Sequence, residues 1–456
     1  MSQLLELLPP GSAVTADGTL TIAGCRAGAL AAEFGTPVLV VDERALRARA
    51  REYTAEPAAR WPRSRVVFAS KAFPCTAVQR VMVQEGLGLD VAGGGEIRTA
   101  LKAGVDPALI VLHGNAKSVD ELTLAVEHGI GLVVVDGPED VDRLEELVAP
   151  GGNQDVLVRV IPGVTADVHA HVMTGHEASK FGLAPPAAAE LIARIEHSDR
   201  VTMRGVHVHI GSQILDTQPF ADSVAPVAAL GEFEIYDLGG GLGARYTYSD
   251  HPPSVGDYLD ALIGAARQHL PAGAQVIIEP GRSMVASAAA TLYRVTTVKR
   301  GARTFVAVDG GMGDNLEVAL FAQRFEAGIA DRLDAAGENT GARLRRSRSS
   351  WWAGTATAET CSSTASISSR PRWGTCWRSQ PPAPTASPWP TTTTEPAASR
   401  WCSRTTAPPG SSFAGRRGRS SPHATSSEPP DSSAATARAA TCSSTACAWT
   451  RRASAT

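Results

Sequence analysis

The sequence predicts a (β/α)8 barrel followed by an incomplete β-domain, and three observations carry that expectation. Short apolar runs recur eight times between Arg65 and Glu279, each followed by glycine, polar or charged residues and then by a helix-like stretch. Reactive residue types gather at the C-terminal ends of these runs, where barrel enzymes carry their chemistry. Beyond the eighth run, strand-like segments follow one another without intervening helices.

In chain order the runs are Arg65–Ser70, Gly88–Ala92, Ile110–His113, Leu132–Asp136, Val156–Val160, Gly205–Ile210, Glu234–Leu238 and Gln275–Glu279. Near-continuous apolar character is what strands buried on both faces require, and the amphipathic stretches Val119–Glu127 and Pro138–Leu147 suit crossover helices. Eight such units in about 220 residues favour a closed barrel over a doubly wound sheet. Thr291–Lys299 and Thr304–Val308 then alternate as strands of a separate domain. The expected division is an N-terminal segment over 1–35 that joins the β-domain, a barrel over 36–283, the start of the β-domain over 284–340, and a tail over 341–456.

Composition sets the tail apart. Of 456 residues, 43% are hydrophobic and the formal net charge is −3. From Trp351 to Thr456, however, there is no Val, Leu or Lys and a single Ile, Ile367, while Ser and Thr number 38. This stretch has 11 Arg against four acidic residues, whereas the body has 32 basic against 42 acidic residues. Five of seven Cys and seven of eight Trp also fall in the tail. A body with only Cys25 and Cys75 fits a reducing compartment, and its acidic balance argues against a nucleic-acid partner. No segment approaches the length of a membrane span, so a cytoplasmic protein with no membrane partner is expected.

At the strand ends, Lys71 follows the first run, Asp90 lies in the second, His113 ends the third and Arg159 lies in the fifth. His209 and Ser212 close the sixth, Gly239, Gly240 and Gly241 the seventh, and Glu279, Gly281 and Arg282 the eighth. A lysine beside an apolar strand is either a solvated end charge or a partly desolvated amine, lowered in pKa and able to form a Schiff base. The Leu238–Gly243 turn can aim backbone N–H groups at an anion, and Arg282 suits phosphate or carboxylate in bidentate geometry. A Schiff-base lysine, an anion nest and an acid able to pair with a ring nitrogen together imply pyridoxal phosphate. His207 and His209 share a strand face and are weighed as metal ligands, but no suitably spaced carboxylate accompanies them, so no metal is expected. His169 and His171 are assigned to a loop.

Phe68–Pro74, His113–Ser118, Arg159–Gly163, Lys180–Gly182, His207–Gln213, Leu238–Gly243, Glu279–Arg282 and Asp309–Asn315 resemble, in this order, motifs of the alanine-racemase-type pyridoxal phosphate decarboxylases. That family includes the diaminopimelate, ornithine and arginine decarboxylases, and the resemblance spans roughly residues 30 to 335. It implies that Lys71 holds the cofactor covalently, that His209 stacks on its ring with Asp90 and Arg159 nearby, and that Glu279 pairs with the pyridine nitrogen. It places Ser212, Gly239 to Gly241, Gly281 and Arg282 around the phosphate. It further implies decarboxylation of meso-2,6-diaminopimelate to L-lysine, in a head-to-tail homodimer whose second subunit reprotonates the carbanion. Alternatives are a decarboxylase of another amino acid, of ornithine, arginine or glutamyl type, a racemase on the same barrel, or an inactive cofactor-binding relative.

Two departures stand out. Where the diaminopimelate decarboxylases read DNPRPALY, this chain reads Asp314–Phe321 (DNLEVALF), which puts Glu317 and Phe321 at the places of a substrate-binding Arg and Tyr. An anion there is expected to oppose a substrate carboxylate. The tail also lacks the family's Cys-containing and GAY motifs. Shifted in frame, the codons for Trp352–Cys361 permit VGRHCDSGDL, and those for Gln380–Pro396 permit ATGAYCFALANNYNGA, which resemble those two motifs in the right order. The reading frame is therefore expected to change around residues 338 to 350, leaving a disordered tail that does not complete the domain.

Overall fold

The computed structural model describes residues 4–164, 179–301 and 304–333, together with the backbone of 351–352, 438–441 and 446–450. Eight parallel strands close into a barrel: β1 (Ser64–Ala69), β2 (Gly88–Val91), β3 (Ile110–Leu112), β4 (Leu132–Val135), β5 (Gln154–Arg159), β6 (Val201–His207), β7 (Ile235–Asp237) and β8 (Gln275–Ile278). Each pairs with the next in sequence, and β8 closes on β1 with Ile277 opposite Arg65. All eight expected strands are present.

The apolar runs are continuous because both strand faces are covered. Val67, Val111, Leu132, Val134, Leu157, Ile235 and Ile277 form one buried cluster, while Phe68, Leu89, Ile110, Leu112, Val133 and Val158 belong to a second, larger one. Alternation along β1 sends Val67 to the first and Val66 and Phe68 to the second, as a period of two demands. Helices return the chain between strands, and local signals begin them. Ser118 and Glu121 form a capping box at the start of Val119–His128, and Asp42 accepts from the backbone N–H groups of Arg44 and Ala45 at 2.9 and 3.2 Å to start Glu43–Arg60. At β6 a β-carbon on Gly205 would lie 1.7 Å from the Ile235 carbonyl oxygen, so only glycine lets β6 and β7 approach this closely.

The strand Val38–Asp42 lies outside the barrel, so the expected barrel start at 36 is too early. Its residues pair antiparallel with Ala289–Leu292. The physical reason is that its two faces serve different cores: Val38 and Val40 pack with Leu4, Leu20, Ile22, Leu30 and Leu333, whereas Val41 packs into the large barrel cluster. The segment before it forms a separate three-stranded sheet of Ala13–Val14, Leu20–Ile22 and Cys25–Arg26. The single strand expected over 291–299 is two, Ala289–Leu292 and Val295–Lys299, because the chain changes partner between them: the second pairs with Phe305–Val308.

Most of the expected disordered tail lies outside the described residues, and three short backbone pieces of it are described. Trp351–Trp352 runs beside Phe305–Val308, and Arg438–Thr441 and Ala446–Thr450 form a hairpin against Val38–Asp42. Open strand edges accept added backbone without requiring particular side chains. Among the described residues, no helix is long and apolar enough to cross a membrane; Cys25 is buried and Cys75 half-buried.

Candidate active site

The C-terminal ends of the barrel strands bring most of the expected residues together. After β1 a tight turn, Ser70–Ala72, presents Lys71, whose Nζ donates to Asp90 Oδ2 in β2 at 2.7 Å. The Lys71 side chain is half-exposed toward the cavity, while Asp90 is buried. Burial works to lower the amine, but the carboxylates of Asp90 and Glu279 outweigh it and raise the lysine above its ordinary value. This corrects the expectation of a lysine lowered in pKa: here Asp90 stabilises the ammonium.

Glu279, just past β8, is gripped from two sides. Its Oε1 lies 2.7 Å from His113 Nε2 and its Oε2 3.3 Å from His207 Nε2. The two imidazoles meet edge to face at 4.8 Å. Burial pushes the Glu279 carboxyl up, and the two imidazoles overcome this and hold it well below its ordinary range. Asp237, at the end of β7, goes the other way: burial, then repulsion from Glu279, raises it well above its usual value. The pair therefore divides its roles, with Glu279 ionised and Asp237 holding the proton. Desolvation lowers His207 to about 3 and also lowers His209, so both are neutral imidazoles at pH 7. The donor atoms of His113, His207, Asp237 and Glu279 lie within 4.8 Å of one another, close enough to gather a cation, but both histidine contacts are directed at Glu279.

A glycine cradle borders this cluster. Gly239 and Gly241 have φ of 65° and 128°, which disfavour any side chain, and a β-carbon on Gly240 would sit 2.0 Å from the Glu279 carbonyl oxygen. The Gly240 N–H donates to His209 Nδ1 at 3.3 Å, which places His209 against the cradle. Gly281 is equally constrained, its missing β-carbon lying 2.9 Å from that of Ala69. Arg282 Nε donates to Ser212 Oγ at 3.0 Å beside this backbone. Arg159 stands further round the barrel, its guanidinium 4.5 Å from the Phe181 ring centre and 3.9 Å from Asp136.

The outer wall holds the two departures. Glu317 opens the short helix Leu316–Phe321, and its carboxylate accepts from Arg282 Nη1 and Nη2, each at 3.0 Å. Arg282 Nη1 also donates to Tyr246 Oη at 2.9 Å. A cavity of about 1470 Å³ is lined by Lys71, His209, Ser212, Arg282, Glu317 and Phe321 among others. The expected clash between Glu317 and a substrate carboxylate is thus tempered: Glu317 is neutralised by Arg282. Sequence reasoning gave no role to His113, Asp237 or Tyr246. A charge inside the apolar β7 run was a signal for Asp237, whereas nothing local distinguishes Tyr246. His169 and His171 lie outside the described residues.

The residues fit pyridoxal phosphate. Glu279 Oε1 is a buried, ionised oxygen with no donor in hydrogen-bonding geometry despite its close contact with His113, which suits a protonated ring nitrogen. The glycine cradle excludes every β-carbon and suits a phosphate.

Comparison with known proteins agrees. Residues 44–286 match the family described as "Pyridoxal-dependent decarboxylase, pyridoxal binding domain". The diaminopimelate decarboxylase of Bacillus subtilis (strain 168) is 39% identical over 344 residues, covering 71% of this chain and 78% of that enzyme. That of Mycobacterium tuberculosis (strain H37Rv) is 39% identical over 368 residues, covering 74% and 81%. The solved structure of diaminopimelate decarboxylase from M. jannaschii in complex with L-lysine superposes with a TM-score of 0.68 at 27% identity, over 80% of this chain and 85% of that one.

Proposed function

This chain belongs to the family of pyridoxal-dependent decarboxylases that contains the diaminopimelate decarboxylases, and from that premise we propose that it converts meso-2,6-diaminopimelate to L-lysine and CO2 through the strand-end site. The observation that carries the reading is Glu279, an ionised carboxylate held between His113 and His207 across a cavity from Lys71.

Pyridoxal phosphate, when bound, supplies a conjugated sink for the electron pair left behind as the α-carboxylate departs. The chain's own residues prepare that event. Lys71 is the amine that would hold the cofactor, and Asp90 Oδ2, 2.7 Å away, orients its Nζ at the cavity. Glu279 holds a proton at the ring nitrogen, and the neutral states of His207 and His209 avoid competing positive charge there. Gly239 to Gly241, Gly281, Ser212 and Arg282 would hold the phosphate, and His209, which accepts from the Gly240 N–H, would stand beside the ring. The C–C bond to the carboxylate is replaced by a C–H bond. The proton-returning group is expected in the Cys-containing motif that a restored frame would supply, so full turnover to L-lysine is proposed for the frame-restored product, a cytoplasmic homodimer.

Borohydride reduction of the loaded protein followed by peptide mapping is expected to find a pyridoxyl adduct on Lys71; its absence there refutes the reading. Labelled diaminopimelate, assayed beside ornithine, arginine and glutamate, is expected to be the preferred source of CO2. Resequencing codons 338 to 350 tests the frame, and an in-frame CDSGD-like segment is the expected result.

A further inference from the structure

Asp237 closes β7 with a fully buried carboxyl group, and among the described residues no cation pairs with it. Arg65 and Arg159 stand close enough to feel its charge, yet their guanidinium groups turn instead to the Ala108 carbonyl oxygen and to Asp136. A lone carboxylate in such a place is costly. Its Oδ1 accepts from the Gly239 N–H of the glycine cradle at 3.0 Å, whereas Oδ2 meets no donor among the described residues. Glu279 Oε1 is in the same condition, and the nearest oxygens of the two carboxyl groups lie within 4.8 Å of each other.

An ionised carboxylate only accepts, so two such groups facing each other in a dry site lack one thing, a proton between them. Contacts with His113 and His207 favour the charge on Glu279, which leaves the proton to Asp237. We propose that Asp237 is a positioning residue of the cofactor site: as a neutral acid it donates to Glu279 through one oxygen and accepts from Gly239 through the other, and so ties the ring-nitrogen acid to the phosphate cradle. An ionised aspartate could accept from Gly239 but would repel Glu279. An apolar residue could do neither. The inference rests on the proposed decarboxylase reading, because it takes Glu279 and the cradle to be two ends of one cofactor site.

The competing possibility is a plain Asx turn, in which an ionised Asp237 caps the glycine turn and contributes nothing at Glu279. Infrared difference spectra and a rescue by asparagine separate the two. In the full chain loaded with pyridoxal phosphate at pH 7, subtraction of Asp237→Asn from wild type is expected to reveal the carbonyl stretch of a protonated carboxyl; absence of that band overturns the proposal. Affinities are then measured by absorbance titration for pyridoxal phosphate, for its analogue with carbon in place of the ring nitrogen, and for pyridoxal. Preference for the cofactor over the first analogue reports the Glu279 end, and preference over pyridoxal reports the cradle. Both preferences are expected to fall about tenfold in Asp237→Ala, the loss of one hydrogen bond to a charged or phosphate-holding group at each end. Asp237→Asn, whose amide can accept from Gly239 and donate to Glu279, is expected to keep both within about threefold. A Glu279-end preference unchanged within about twofold in Asp237→Ala leaves only the Asx turn and overturns the proposal, as does a tenfold loss in Asp237→Asn. Should Asp237→Ala fail to fold, the infrared band and the Asp237→Asn affinities decide between the same two readings. Absence of the Lys71 borohydride adduct in wild type is instead the failure of the decarboxylase reading, and leaves the infrared result standing on its own.

Discussion

The barrel and the β-domain portion of this chain solve the same problem, burial of strand faces, with opposite success. In the barrel every strand has two neighbours, and Val133, Leu89 and Ile278 are almost fully buried. Outside it, the Val295–Lys299 strand leaves Val295 and Val298 40% and 45% exposed, and the helix Leu316–Phe321 exposes Leu316 and Leu320 beyond half. A closed sheet has no edges and completes its own core, whereas an open sheet depends on what is added to it. The candidate site divides along the same line. Lys71, Asp90, His207, His209 and Glu279 stand on or next to barrel strands, and Glu317 and Phe321 stand on the open part. The proposed cofactor contacts therefore rest on the self-sufficient region and the proposed substrate contacts at Glu317 and Phe321 on the dependent one.

The largest expected effect tests whether the barrel carries the chemistry. Lys71→Ala is expected to lower decarboxylation about a thousandfold or more and abolish the borohydride adduct, while the urea midpoint moves little. Near-normal turnover in that variant would remove the barrel from the mechanism. The next tests its closure. Gly205→Ala would put a β-carbon 1.7 Å from the Ile235 carbonyl oxygen, whereas at Gly313, on the open part, a β-carbon meets nothing within 4 Å. The first is expected to cost more than about 4 kcal/mol in chemical unfolding and the second less than about 0.5 kcal/mol.

Core truncation sharpens the contrast further. Leu89→Ala removes a fully buried side chain of β2 and is expected to cost about 3 kcal/mol, against about 0.5 kcal/mol or less for Leu320→Ala, which is 56% exposed. Similar losses at both positions would mean that the open part is covered in solution. Leu320→Ala is also expected to reduce light scattering on concentration, since exposed apolar surface promotes association.

The same division explains what could be read from the sequence. Barrel strands were legible because burial on both faces writes an uninterrupted apolar run, and strand ends were legible because glycines, Lys71 and Glu279 interrupt those runs abruptly. The Val38–Asp42 strand was not, since its partner Ala289–Leu292 lies about 250 residues away and local pattern holds no record of pairing at that distance. Likewise the Arg282–Glu317 pair appeared as an anion in a cation's place, because the sequence gives residue types but not which of them touch. The opposite ionisation of Asp237 and Glu279 depends on burial and mutual repulsion, which no motif encodes.

The smallest effect concerns pH and belongs to the barrel alone. Burial lowers His207 from 6.5 to about 3, so between those values the unfolded chain binds a proton that the folded chain refuses. Folding stability then falls on acidification through this window, by about 2 to 3 kcal/mol between pH 6.5 and 4.5 for His207. His209, lowered in the same way, adds to the slope. Glu279, held well below its ordinary value of 4.5, loses its contribution only in stronger acid. Asp237, raised by burial, works in the opposite sense because its folded form takes up a proton first. The informative quantity is therefore the difference between two slopes. In urea unfolding at a series of pH values, His207→Asn is expected to lose less stability than wild type between pH 6.5 and 4.5, whatever its stability at pH 7. Parallel slopes would show that His207 is not the neutral, buried partner of Glu279, and the argument for an ionised Glu279 at the ring nitrogen would lose one of its two supports.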